Sequence, residues 1–194
     1  KNMDMEKILS EILKVGKDQL DSIDLNDYRK ITDSINTPKE WFYMQSGVEH
    51  YRLLAFISGL FENESLLDIG TYQGSSSIAM SYNSKNSITS FDVNHQPEIS
   101  KIKIPNINYK IGNVLEFTDL IIKSPFILLD TYHDGSFEAE FMEEMIKINY
   151  RGIVLFDDIH LSGPMETFWN SIDSEKYDLT SKGHYTGTGL VYFK

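Results

Sequence analysis

Two acidic clusters, Asp130-x-x-His133 and Asp157-Asp158-x-His160, each stand directly behind a short apolar run. The runs, Phe126–Leu129 and Gly152–Phe156, are near-continuously hydrophobic and bounded by loop residues, as buried parallel strands are. In open α/β sheets ligands sit outside the carboxyl ends of the strands, so both clusters should converge on one spot. Three carboxylates facing one another repel unless something positive lies between them, and a hard divalent cation is the natural occupant. The chemistry to expect is that of an oxygen-ligated metal with a histidine beside it.

A second constellation lies upstream. The run Leu66–Ile69 leads into Asp68-Ile-Gly70-Thr-Tyr-Gln-Gly74-Ser75-Ser76-Ser77. Glycines at a strand-to-helix turn let a ligand approach the backbone, and the serines can cap the helix that follows. A dinucleotide fingerprint requires G-x-G-x-x-G, whereas these glycines are four apart, with Asp68 two before the first. Such a turn suits a ligand without phosphates, whose amino-acid end meets Asp68 and the exposed amides. Asp92 closes the next apolar run, where an acidic residue can take both hydroxyls of a ribose. Alone, Asp92 reads more often as a helix cap or a solvated acid; beside the glycine turn, it reads as a ligand contact.

These positions need a frame. Apolar residues Ile8, Leu9, Ile12 and Leu13 share one helical face, and Tyr28, Ile31 and Ile35 repeat the period before Thr37-Pro38. Ser46-Gly-Val-Glu49 fits a capping box opening a helix through Val48, Tyr51, Leu54, Ile57 and Leu60. From Leu66 the pattern changes to alternation. Strands are expected at Leu66–Ile69, Ile88–Val93, Ile107–Ile111, Phe126–Asp130 and Gly152–Asp157. Helices are expected at Ser75–Tyr82, Val114–Ile122, Phe137–Ile148 and about Pro164–Ile172. Alternation of this kind implies right-handed βαβ units and a parallel sheet covered on both faces. Tyr177–Thr180 and Thr188–Phe193 have no helix between them and should pair antiparallel at the sheet edge. The expected fold is thus α/β, a doubly wound, mostly parallel seven-stranded sheet with an antiparallel C-terminal hairpin. Residues 1–62 form a helical N-terminal cap on the 63–194 core, in one domain.

Composition narrows the function classes. The chain has 194 residues, with 41% hydrophobic and 24% charged, ordinary values for a globular domain. With 18 Lys+Arg against 29 Asp+Glu, the net charge of −11 argues against a nucleic-acid partner. There is no cysteine, hence no disulfide, thiolate metal site or cysteine nucleophile. No apolar run approaches the roughly 18 residues of a membrane span, and the N-terminus shows no signal-peptide core. The expectation is a soluble cytoplasmic protein, its oligomeric state open.

The segments "LLDIGTYQGSSS", "ITSFDV" and "YKIGNVLEF" resemble the first three motifs of the class I S-adenosylmethionine-dependent methyltransferases. The resemblance covers about Leu66–Lys194, and the paired final strands match that family's antiparallel hairpin. "FILLDTYHDGSFEAEF" followed by "INYRGIVLFDDIHL" is similar to the metal-dependent O-methyltransferases of the catechol and macrolide-sugar types. The resemblance implies S-adenosylmethionine as cofactor, held by Asp68, Gly70, Gly74, Ser75, Asp92, Asn113 and Asp130. It implies Mg²⁺ or Mn²⁺ on Asp130, Asp157 and Asp158, and a small hydroxylated acceptor such as a sugar or catechol-like diol. The catechol type usually has Asp-Asn at the pair, so Asp158 departs toward the sugar type. Asn113 departs from the acidic residue often found at the adenine, although an amide oxygen can still accept from the adenine amino group.

His133 matches the histidine of the sugar type, where the catechol type has a lysine as general base. An imidazole there can take the acceptor's proton near neutral pH, or it is a loop histidine bonded to a neighbouring carbonyl. His160 is a partner of the carboxylates, a substrate contact or a surface residue. His50, His95 and His184 have no partner in the sequence and receive no role. Trp41, Phe42, Tyr43 and Met44 either pack in the core or flank the mouth of the site; Trp169 fits core packing better than a pocket wall. Two other readings stay open: a metal-independent N- or O-methyltransferase, and a catalytically silent protein of this fold.

Overall fold

The computed structural model describes residues 4–34 and 48–194. The aromatic cluster 41–44, the Thr37-Pro38 break and the start of the Ser46 capping box lie outside the described residues. Among the described residues four helices precede the sheet: α1 (Met5–Lys14), α2 (Lys17–Asp21), α3 (Asn26–Ser34) and α4 (Val48–Gly59). Then follow β1 (Ser65–Ile69), α5 (Ser75–Met80), β2 (Ser87–Asp92), β3 (Ile107–Ile111), α6 (Thr118–Ile122) and β4 (Phe126–Leu129). The chain continues through α7 (Ser136–Lys147), β5 (Gly152–Asp157), α8 (Gly163–Ser171), β6 (Glu175–Asp178) and β7 (Thr188–Phe193).

The seven strands lie in the order β3-β2-β1-β4-β5-β7-β6. All neighbours are parallel as far as β5, and β7 runs antiparallel to both β5 and β6. The expected antiparallel pair at the sheet edge is present, with β7 inserted beside β5 and β6 outermost. The period of two along each strand divides the core. Leu66, Ile88, Phe126, Leu128, Ile153 and Leu155 face α1, α2, α4 and α5. Leu67, Ile69, Phe91, Ile127, Leu129, Val154 and Phe156 face α7 and α8. Both faces are covered, as a parallel sheet requires.

Two local expectations are corrected. The single helix expected over Val114–Ile122 is a 3₁₀ turn, Val114–Glu116, and a separate α6. Phe117, with φ −114° and ψ 54°, breaks the run, and the Asn113 side chain caps the first piece through the Leu115 N–H. A further 3₁₀ turn, Pro97–Lys101, fills the crossover from β2 to β3. The serines of the glycine turn do not cap α5: Ser76 bonds Asp68, and Ser77 bonds the Gly74 carbonyl and Tyr109.

The N-terminal cap is fastened to the far end of the chain. Ile8, Leu9 and Ile12 on α1 enter the same core as Leu190 and Tyr192 of β7. Lys182 Nζ donates to the carbonyls of Ile12, Leu13 and Val15 at 3.2, 2.9 and 2.9 Å, satisfying acceptors that the end of a helix leaves open. Lys182→Met keeps the stem but removes the donors. It should destabilise the protein by about 1–3 kcal/mol in urea unfolding. An unchanged midpoint would show that water replaces the ammonium without loss.

Candidate active site

Register brings the site residues level. Ile69 pairs with Phe91 on one side and Leu129 on the other, and Leu129 pairs with Phe156. The next residue of each strand path (Gly70, Asp92, Asp130 and Asp157) therefore stands in one row. All four line a single cleft of about 1010 Å³ at the carboxyl end of the sheet. Gly70, at φ +104°, is required by this row: a Cβ there would fall 1.7 Å from the Asp130 carbonyl oxygen. The glycine thus serves the approach of β1 to β4 while it also lines the cleft.

Around the turn, Ser75 and Asn113 also line the cleft, while Asp68 and Gly74 do not. Gly74, at φ +90°, faces Ile99 and Ile102 instead. Asp68 is fully buried beneath α5, where its carboxylate accepts from Ser76 (2.9 Å) and Ser90 (2.6 Å). Burial, outweighing the two serine bonds and reinforced by Asp130 and Asp92, raises its pKa to about 7. These two residues build the turn from below. Asp92 holds it from the side, accepting the Tyr72 N–H at 3.0 Å and the Val93 N–H at 2.7 Å. Its carboxylate still has acceptor capacity toward the cleft. Asn113 Oδ1 is engaged by Leu115 N–H, which leaves its NH₂ group as the ready donor at the position expected beside adenine.

The two acidic clusters do converge. One oxygen or nitrogen from each of Asp130, His133, Asp157 and Asp158 lies within 4.8 Å of the others. His133 Nε2 stands 2.8 Å from Asp130 Oδ1 and 3.1 Å from Asp158 Oδ2. Burial opposes its charge, but the Asp130 bond and the charges of Asp130, Asp158 and Asp157 prevail and raise it to about 9. Asp157 is only 2% exposed, and burial, then Asp130 and Asp158, push its pKa well above the carboxylate range. Three carboxylates brought this close are a donor set suited to a hard, oxygen-ligated dication such as Mg²⁺ or Mn²⁺. His133 (φ 57°), Asp158 (φ 60°) and Tyr72 (φ 45°) all adopt left-handed backbone around the cleft. Such conformations cost non-glycine residues roughly 1–3 kcal/mol each and gather where function over-determines the chain.

The remaining histidines divide sharply. His160 bonds Glu166 on α8 at 2.6 Å and Asp178 on β6 at 2.7 Å, chiefly the latter raising its pKa against burial. It is a strut between those elements and lies outside the cleft lining. Trp169 packs in the core, with Lys176 Nζ 5.1 Å above its ring. His184, to which the sequence assigns no role, places Nδ1 2.6 Å from Asp157 Oδ1. His50, equally unassigned, stacks on it at 4.0 Å. A histidine in a glycine-flanked loop before the last strand is the only hint in the sequence for His184; α4 offers none for His50.

No family model matches the chain, and no curated protein matches it in sequence. Solved structures do match in fold. The SAH-bound methyltransferase of Podospora anserina aligns over 97% of this chain and 94% of its own, with TM-score 0.63 and 13% identity. Cofactor-bound Rv0187 from MTB covers 100% and 99%, at TM-score 0.59 and 13% identity. The O-methyltransferase from Bacillus cereus in complex with SAH covers 97% and 96%, at TM-score 0.56 and 16% identity. The chain has the Rossmann-like methyltransferase fold along nearly its whole length. Among its described residues no helix is long and apolar enough to cross a membrane.

The buried Asp68 gives this turn a pH signature. Its ordinary pKa of 3.8 in the unfolded chain rises to about 7 in the fold, so between those values the native state binds the extra proton. Stability from this group therefore falls as pH rises through that window and levels off above it. Asp68→Asn cannot titrate. Its melting-temperature advantage over wild type should widen from pH 5 to pH 7 and then stay constant. A difference independent of pH would show that Asp68 is ionised throughout.

Proposed function

We propose that this protein is an S-adenosylmethionine-dependent O-methyltransferase acting on a hydroxyl of a small diol, a sugar or catechol-like molecule, with a divalent cation at the acidic trio. The observation that carries this reading is the meeting of Asp130, His133, Asp157 and Asp158 in the same cleft that Asp92 and the glycine turn line. Several solved neighbours of this fold hold SAH or a cofactor, which supports the assignment of the ligand. S-adenosylmethionine supplies an electrophilic methyl group, and a dication lowers the pKa of a hydroxyl beside it.

The chain's own residues supply the rest. Asp92 binds the ribose hydroxyls, the Gly70–Ser75 turn receives the amino-acid end, and Asn113 meets the adenine. Asp130, Asp157 and Asp158 would hold the cation at the mouth of the acceptor position. His133 Nε2 removes the acceptor's proton; the added positive charge offsets the carboxylates that raise its pKa, which brings it toward the neutral form a base needs. Holding acceptor and donor in line supplies most of the acceleration. Among the described lining residues there is no Lys or Arg, whereas Tyr72, Tyr132 and Tyr185 are exposed around the cleft. That wall suits an uncharged ring-bearing acceptor better than one carrying phosphates.

One observation favours a second reading. His133 already sits between Asp130 and Asp158 as an imidazolium, partly neutralising the trio without any metal. A metal-independent transferase would use that charge instead. Activity on a diol panel with and without EDTA separates the two readings, and the proposed one requires loss with EDTA and recovery with Mg²⁺ or Mn²⁺. A protein that fails to bind S-adenosylmethionine in calorimetry would contradict both.

Two variants test the division of labour. Asp92→Ala should weaken S-adenosylmethionine binding by about 1.5–3 kcal/mol, through loss of charge-assisted bonds to the ribose. Wild-type affinity in a folded variant would remove Asp92 from the site. His133→Ala should lower kcat by about 10²–10⁴ with cofactor affinity unchanged. Full activity in that variant would reduce His133 to a loop residue.

A further inference from the structure

The loop between β6 and β7 grips both members of the acidic pair. His184 Nδ1 lies 2.6 Å from Asp157 Oδ1, and the Thr186 hydroxyl donates to Asp158 Oδ1. The backbones are fastened as well: Asp158 N–H donates to the Gly187 carbonyl and His160 N–H to the Thr186 carbonyl, both at 2.8 Å. Gly187, at φ +113°, permits this contact, because a Cβ there would stand 2.6 Å from the His160 nitrogen. The His184 N–H in turn donates to Thr188 Oγ1 at 2.9 Å. The loop is therefore built against the acidic pair from both its side chains and its backbone.

Behind His184 lies His50, 1% exposed, with neither ring nitrogen hydrogen-bonded among the described residues. His50, Asp157 and His184 are close enough to suggest a second metal triad. The ring geometry argues against it. The rings are stacked 4.0 Å apart and only 16° from parallel, and an imidazole lone pair lies in its ring plane. Two separated, near-parallel planes cannot both pass through one ion at bonding distance. Burial, and then the neighbouring His184, hold His50 well below the ordinary histidine pKa, so it stays neutral. It serves as a flat backstop, with Tyr51 meeting the His184 ring edge-on at 6.3 Å. When a cation holds Asp157 ionised, its carboxylate can only accept, so His184 would carry its proton on Nδ1 and fix one carboxylate oxygen, leaving the other for the cation.

We infer that His184 and Thr186 are positioning residues that aim the Asp157 and Asp158 carboxylates at the shared cation, so that the β6–β7 loop sets the metal affinity of a site built on other strands. This rests on the proposed reading of Asp130, Asp157 and Asp158 as cation ligands. Outer partners of metal ligands typically carry 10–100-fold in affinity.

Mn²⁺ titration calorimetry on the intact protein tests it, with S-adenosylhomocysteine binding as the control. His184→Ala and Thr186→Val should each weaken Mn²⁺ binding by about 10–100-fold, with S-adenosylhomocysteine affinity unchanged. His184→Asn places an amide nitrogen where Nδ1 stood, and Thr186→Ser keeps the hydroxyl, so both should recover most of the loss. Wild-type Mn²⁺ affinity in the alanine and valine variants would overturn the inference while leaving the cation site standing. Failure of the asparagine and serine variants to recover would overturn it too, since bulk packing alone would then account for the loss. If His184→Ala does not fold, the Thr186 pair carries the test. A wild-type protein that binds S-adenosylhomocysteine but no Mn²⁺ would sink the cation reading and this inference together.

Discussion

Asp130, Asp157 and Asp158 repel one another, and the fold holds them together regardless. Two neighbouring parallel strands end level, so their next residues have nowhere to stand but side by side. Burial of Asp157 sharpens the conflict, because a desolvated carboxylate beside two others resists ionisation. Everything near the trio bears on that conflict. His133 brings a positive charge to two of its members, and the β6–β7 loop pins the acidic pair by hydrogen bonds. Left-handed backbone at His133 and Asp158 turns those side chains inward at a local cost in conformational energy.

The same register that creates the repulsion also creates the cleft. Gly70 exists because β1 and β4 come so close that no side chain fits between their ends. Removing that side chain lets the row from Asp92 to Asp157 close up into one wall. The proposed cofactor contacts and cation ligands therefore depend on one packing constraint, and a change at Gly70 would disturb both. Asp68, beneath the row, shows the other side of the same geometry: its carboxylate is spent on Ser76 and Ser90, keeping the turn in place without reaching the cleft.

Much of the fold and of the site is legible in the amino-acid sequence, and the reason is local. Short apolar runs ending in Asp92, Asp130 and Asp157 announce buried strands, and strand ends in such sheets are where ligands go. The resemblance of the motifs then points to a family whose fold the structure displays. What is not legible depends on contacts between distant segments. His184 meets Asp157 because β7 inserts beside β5 and brings the loop before it onto the acidic pair, a contact between residues 27 apart in the chain. His50 arrives from α4 on the opposite side. Likewise Asp68 reads as a ligand contact because its neighbours in sequence line the cleft, whereas the period of two along β1 turns its side chain under α5.

The central claim is that one dication occupies the space among Asp130, Asp157 and Asp158 in the presence of the cofactor product. Anomalous diffraction from crystals grown with Mn²⁺ and S-adenosylhomocysteine tests it most directly. The account predicts a single manganese peak within about 2.0–2.4 Å of an oxygen from each of the three carboxylates, with His133 swung away from Asp130. A peak bound elsewhere, or S-adenosylhomocysteine in the cleft with no manganese at the trio and His133 still between Asp130 and Asp158, would contradict it.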